Sequence, residues 1–259
     1  MSAPSLSKSP IEKSPERINN ILLGPLERPA LAWMAKKMPA WMTPDLLTGI
    51  GLLATVLIFV SYILTNINPA FLWLASFGFI LNWFGDSLDG TLARYRHIER
   101  PRYGFFIDHT IDAISEVLIF LGLGLSPYID LRVASLFCIG YLLLSILTYI
   151  ATYVNGVFRI SFLKLGPTEM RVIAILINAF LFFIPEVKTF TFKFGTFSLY
   201  DLFTLFMSLV FFAAFLGFTY STGKELSKLD IAHRETKQHK SKHKKHKLEQ
   251  TPGQPVNHQ

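Results

Sequence analysis

The sequence predicts an all-α membrane protein, a bundle of six transmembrane helices with a short interfacial helix on its N-terminal side. Three observations predict it. Hydrophobic residues make up 51% of the 259 residues and charged residues 17%, with a mean hydropathy of +0.39. That is too apolar for a disordered chain and too poor in charge for an ordinary soluble surface. Six apolar runs come close to the ~20 residues that cross ~30 Å of hydrocarbon. The short loops between them separate by charge, as loops on the two sides of a membrane do. The single cysteine, Cys138, excludes an internal disulfide framework and any CxxC metal motif.

Residues 1–17 are rich in Ser, Pro and charge and read as a disordered lead-in. They are not a signal peptide, because no apolar core follows the first basic residues. From Ile18 to Met42, apolar Ile21, Leu22, Leu26, Leu31, Trp33, Met34 and Trp41 alternate with Arg28, Lys36 and Lys37, while Pro25, Pro29 and Pro39 break any long helix. This reads as a short basic segment, bearing Trp, that lies in the membrane interface. The spans expected next are Leu46–Thr65, Pro69–Ala93, Ile107–Leu125, Leu131–Val154, Thr168–Ile184 and Leu199–Thr222. They leave no room for a soluble domain, so residues 18–223 form one transmembrane domain.

Residues 224–249 hold nine Lys/Arg against four Asp/Glu, so +5 of the net +7 sits in one tail. A nucleic-acid-binding face is therefore not expected. Residues 224–259 read as a disordered polybasic tail rich in His and Lys, attracted to anionic lipid at ~1 kcal/mol per cation near the surface. With the N-terminus in the cytoplasm, the inside loops carry Arg94, Arg96, Arg100, Arg102, Arg159 and Lys164, and the outside loops only Lys188 and Lys193. Both termini then lie on the cytoplasmic side.

Four aspartates lie where a membrane makes them expensive. Asp86 and Asp89 are near the end of the second run, Asp108 and Asp112 near the start of the third. Asp86, Asp89 and Ala93 fall at i, i+3 and i+7, and Gly104, Asp108 and Asp112 at i, i+4 and i+8, so each set shares one helical face. Two consecutive helices joined by a short loop are antiparallel neighbours, and the acidic faces meet at one depth. Four carboxylates in one place repel, and Arg94 alone does not neutralise them. One or two divalent cations do, and Mg2+ or Mn2+ suits an all-oxygen shell better than zinc. Gly90 and Ala93 leave that face of the second helix thin, room for a pyrophosphate-bearing substrate beside the metal.

The run Asp86-Ser-Leu-Asp89-Gly90-Thr-Leu-Ala93-Arg94, then nine residues, then Gly104-Phe-Phe-Ile-Asp108-His-Thr-Ile-Asp112, resembles the signature of the CDP-alcohol phosphotransferases, DxxDGxxAR followed by GxxxDxxxD. All eight fixed positions match, and Pro44-Asp45-Leu46-Leu47-Thr48 resembles a recurrent opening of these enzymes. The resemblance implies transfer of a substituted phosphoryl group from a CDP-linked donor to an alcohol, with release of CMP. It implies that Asp86, Asp89 and Asp108 are metal ligands, and that Asp112 completes the shell and acts as general base. Gly90, Ala93 and Arg94 would line the CDP site, and Gly104 would allow close approach of the donor. It also implies phospholipid biosynthesis and, commonly, a homodimer, while the loop charges put the acids near the cytoplasmic face.

The length and six spans suit a CDP-diacylglycerol donor with a polar acceptor. Two stretches lean instead toward CDP-choline or CDP-ethanolamine enzymes acting on diacylglycerol: Ile107-Asp108-His109…Asp112-Ala113, and Gly166-Pro167-Thr168-Glu169. Arg159, Glu169 and Arg171 are candidates for the acceptor pocket, Arg through its planar fork. His109 could meet a substrate phosphate or merely cap a helix, and Tyr149, Tyr153 and Asn155 could line the cavity. A divalent-cation carrier is the reading from another class. It fits less well, because the first, fifth and sixth runs have almost no polar residues at midplane depth. A scaffold that kept the pocket without catalysis is a third reading.

Overall fold

The computed structural model describes residues 16–18, 22–155, 157–159, 166–184, 189–193 and 195–249. A first compact unit runs to Ala213. Its helices are α1 (Gly24–Lys37), α2 (Pro44–Leu64), α3 (Phe71–Tyr95), α4 (Pro101–Gly124), α5 (Leu131–Asn155), α6 (Pro167–Phe183) and the start of α7 (Leu199–Glu249). Six of them fall on the six apolar runs. Among the described residues, three segments are long and apolar enough to cross a membrane, Pro44–Leu64, Leu131–Val154 and Leu199–Ile231. The protein is an integral membrane protein.

Two pairs of short strands interrupt the expected all-helical order. β1 (Glu16–Ile18) pairs in parallel with β2 (Val157–Arg159), and β3 (Thr189–Phe192) forms an antiparallel hairpin with β4 (Gly195–Ser198). Most of the lead-in expected to be disordered, and residues 250–259 of the tail, lie outside the described residues. Residues 224–249 differ from expectation, because α7 continues through them as helix. Neither Gly nor Pro occurs between 224 and 249, and Lys, Glu and Gln are good helix formers, so the helix meets no breaker before Pro252. The second compact unit, Ala214–Gln259, contains this part of α7.

Local chemistry sets the ends of the helices that carry the site. Thr43 caps α2, its side chain accepting from the Leu46 amide, with Pro44 in the first turn. At the end of α3, His97 takes φ 57°, its amide donates to the Arg94 carbonyl at 3.2 Å, and the Ile98 amide donates to the Ala93 carbonyl at 3.0 Å. This is a left-handed cap of the kind usually built on glycine. It stops α3 at Tyr95, one residue past Arg94, and turns the chain into α4. Arg96 ties this turn to the α1–α2 linker, donating to the carbonyls of Met42 (2.5 Å) and Pro39 (2.8 Å). Arg100 pairs with Asp45 at the start of α2.

α2 and α3 pack most extensively. A Cβ at Gly85 would lie 2.5 Å from the Gly51 nitrogen and 2.6 Å from the Leu47 carbonyl oxygen. Only glycine lets the two backbones approach this closely. Two apolar clusters bracket the contact. One joins Ile58, Tyr62, Leu72, Ala75, Phe79 and Leu181; the other joins Leu31, Ala35, Met42, Leu47, Leu88 and Leu92. Along α2 and α3, Thr48, Gly51, Thr55, Asn82 and Asp86 fall between them. We expect Gly85→Ala to push α2 from α3 and cost roughly 1–3 kcal/mol, read as a lower thermal midpoint of the full chain in detergent. An unchanged midpoint would show that the helices yield at this contact.

Candidate active site

Asp86, Asp108 and Asp112 come together. With Thr48, Gly51, Asn82, Ile111 and Ser115 they line a cavity of about 10 Å³, the space of one water or one ion. Asp89 sits beside this cavity, its Oδ2 accepting from the Thr48 hydroxyl at 2.5 Å and its Oδ1 from the Gly90 amide. Thr48 itself lines the cavity, so the fourth acid is coupled to the other three through one hydroxyl.

The cation that meets the acids is Arg171 on α6. Its Nη2 donates to Asp86 Oδ2 at 2.6 Å and its Nε to Asn82 Oδ1 at 2.7 Å, with the side chain only 13% exposed. Arg171 therefore belongs to the acid cluster as well as to any acceptor pocket. The sequence considered only Arg94 for this neutralising role. Arg94 is exposed and donates to Thr91 Oγ1 at 3.1 Å.

The donor set fits a divalent cation. Asp108, His109 and Asp112 each offer a ligand atom, all within 4.8 Å of one another, and Asp86 shares the cavity. Carboxylate oxygens suit Mg2+ and Mn2+, and a single imidazole is compatible with Mn2+. The expected all-oxygen shell thus gains a neighbour in His109. Its ring lies between those of Phe105 (centroids 4.1 Å apart) and Tyr149 (4.7 Å), and its Nδ1 is 3.4 Å from Asp108 Oδ2. The motif already contained this residue, but sequence does not show which way it turns.

The glycines of the motif differ from those of the packing contact. A Cβ at Gly104 would meet nothing within 4 Å, and one at Gly90 only the Arg94 guanidinium at 3.4 Å. The fold itself therefore requires glycine at neither position. Ala93, half-buried, uses its carbonyl in the cap that ends α3.

The acceptor candidates separate. Glu169 is 4% exposed, and both its oxygens are engaged by backbone. Oε1 accepts from the Leu23 amide at 2.7 Å and Oε2 from the Gly166 amide at 2.9 Å. It is a capping and fastening residue, turned to the start of α6 and the entry of α1. Arg159 is on β2, opposite Ile18 of β1, and its side chain is outside the described residues, as is that of Asn155. Tyr153 is 76% exposed.

A second, apolar pocket of about 380 Å³ lies between α1, α3 and α6 and shares Arg171 as part of its wall. Glu27 closes its polar edge, accepting on Oε1 from Trp83 Nε1 at 2.8 Å and from Thr168 Oγ1 at 2.7 Å.

An integral membrane helical bundle that gathers hard oxygen donors beside an apolar pocket defines the class. The chain belongs to the CDP-alcohol phosphatidyltransferase family, whose pattern matches residues 41–220. It is similar to cholinephosphotransferase 1 of Gallus gallus, 29% identical over 170 residues, which are 61% of this chain and 50% of that protein. The Xenopus laevis protein of the same name is 35% identical over 96 residues, 35% of this chain and 24% of its own length. Phosphatidylinositol phosphate synthase of Cutibacterium acnes is 36% identical over 88 residues, 33% of this chain and 39% of its own. The chain matches half or less of the length of each.

Glu169→Gln turns an NH2 group toward a backbone amide. We expect it to cost roughly 1–3 kcal/mol of stability, seen as a lower melting temperature, with the acceptor KM unchanged. A raised KM at an unchanged melting temperature would return Glu169 to the acceptor pocket.

Proposed function

We propose that this chain transfers a substituted phosphoryl group from a CDP-linked donor to an alcohol hydroxyl and releases CMP, in phospholipid synthesis. The observation that carries the reading is the meeting of Asp86, Asp108 and Asp112 on one cavity, with Asp89 tied to it through Thr48. Six membrane spans, an interfacial α1 and an active site at the cytoplasmic face are the arrangement we propose for it.

Asp86, Asp89, Asp108 and Asp112 would hold one or two Mg2+ or Mn2+ ions, with His109 in reach. Bound there, the ions neutralise the pyrophosphate and stabilise CMP as the leaving group. The chain's own residues do the rest. Gly90, Ala93 and Gly104 leave backbone open to the donor, and Arg94 contributes charge to its phosphates. The acceptor oxygen forms a bond to the phosphorus distal to cytidine, the P–O bond to CMP breaks, and the hydroxyl proton passes to the Asp112 carboxylate. A base placed within hydrogen-bond reach contributes roughly 10²–10⁴-fold.

Both substrate readings involve a lipid, and the apolar pocket beside Arg171 has the character for an acyl chain. CDP-diacylglycerol is the donor we favour. The second reading, CDP-choline or CDP-ethanolamine with diacylglycerol as acceptor, draws on the likeness to cholinephosphotransferases over 61% of this chain.

The test is CMP release by the purified chain with each donor and a panel of alcohols. Release with one donor, abolished by EDTA and restored by Mn2+, is expected. No release with any donor would favour the carrier or scaffold. Asp112→Asn should lower kcat by about 10²–10⁴-fold, and a near-normal rate would remove its role as base. Gly104→Ala should raise donor KM while leaving stability equal or up to about 1 kcal/mol higher. A lower melting temperature with an unchanged KM would make that glycine structural.

A further inference from the structure

Beneath the acids lies a polar layer that the scheme above does not use. Thr55, Asn82 and Ser115 are 0%, 6% and 8% exposed. Asn82 Nδ2 donates to the Gly51 carbonyl at 3.0 Å and to Thr55 Oγ1 at 3.1 Å. Thr55 Oγ1 is 3.0 Å from Ser115 Oγ. Asn82 Oδ1 accepts from Arg171 Nε at 2.7 Å. One chain of hydrogen bonds thus runs through α2, α3, α4 and α6. Asn82 stands one turn before Asp86, and Ser115 three residues after Asp112, so the layer touches both acidic helices next to their acids.

We propose that Asn82 is a positioning residue for the metal ligand Asp86 and acts through Arg171. The inference rests on the metal-site reading above. A guanidinium is planar, and its Nε and Nη2 hydrogens point out along one edge. Asn82 takes the first and Asp86 Oδ2 the second, at 2.7 and 2.6 Å. With Nε held, and Asn82 itself held by α2, the plane of the guanidinium is fixed, and so is the Asp86 carboxylate. Oδ2 is spent on Arg171, which leaves Oδ1 for a cation. Arg171 has no slack elsewhere: its Nη1 is buried and has no hydrogen-bond partner among the described residues. Removing Asn82 strips the buried Nε of its acceptor, and the guanidinium turns to seek another. Asp86 turns with it. Losing such an outer partner of a ligating carboxylate typically costs 10–100-fold in metal affinity.

The full chain in detergent, titrated with Mn2+ and followed by the electron paramagnetic resonance signal of the free aquo ion, reads affinity directly. Thermal melting without metal reads stability. Asn82→Leu, close in shape but unable to hydrogen-bond, should weaken Mn2+ binding by about 10–100-fold. Asn82→Asp keeps an oxygen for Arg171 Nε and loses the two Nδ2 bonds to α2. It should melt at a lower temperature yet bind Mn2+ about as tightly as wild type. That separation of affinity from stability is the signature of positioning. Equal weakening by both variants would reduce Asn82 to a packing role and overturn the proposal. Wild-type affinity in Asn82→Leu would also overturn it, while leaving the metal site standing. If wild type itself leaves the Mn2+ signal untouched, the metal-site reading fails, and this inference with it. Should Asn82→Leu not fold, Arg171→Lys decides. Lysine cannot span both acceptors, so weakened binding supports the proposal and unchanged binding overturns it.

Discussion

The backbone contact between Gly51 and Gly85 governs the geometry of everything around it. Two helices ordinarily stand 8–10 Å apart, held off by their side chains. Here neither residue has one, and a carbon added at Gly85 would collide with the α2 backbone at 2.5 Å. The closeness lets short side chains reach across. The Thr48 hydroxyl reaches Asp89, and the Asn82 amide reaches a carbonyl on α2, which longer residues would otherwise be needed to bridge. Such polar reaches and small-residue contacts help hold the two helices in register. The same contact supplies Asp89 with its partner Thr48, while Asp86 is answered from α6 by Arg171.

Glycine thus does two different things within one stretch of α3. At Gly85 the missing side chain is filled by another helix. At Gly90, five residues on, it is met only by the end of a flexible arginine. The first belongs to the architecture; the second is space that the polypeptide does not occupy.

Much of this was legible in the sequence, for local reasons. Apolar length marked the helices, and the caps at Thr43-Pro44 and Gly166-Pro167 lie within a residue or two of the starts of α2 and α6. The i, i+3 and i+4 spacings put the aspartates on faces that do meet. What stayed hidden was pairing at long range. Nothing near Arg171 announces that it will bind Asp86, 85 positions earlier, or that Glu169, besides capping its own helix, will hold Leu23. Gly78 and Gly85, seven apart on one face, were a readable signal of close packing that the motif overshadowed. The β3–β4 hairpin escaped because its alternation spans only four residues a side, and the helix beyond 224 because polybasic composition reads as disorder whether or not a breaker is present.

The partnership of Asp86 with Arg171 also orders the molecule's birth. Translation delivers α3 long before α6, so for 85 residues the nascent chain carries its acids without the arginine that answers them. Leu23 waits longer still, 146 residues, for Glu169. α1 and the acidic helices can assume their final places only once α6 has left the ribosome. A chain arrested before that point holds Asp86 without the arginine that answers it.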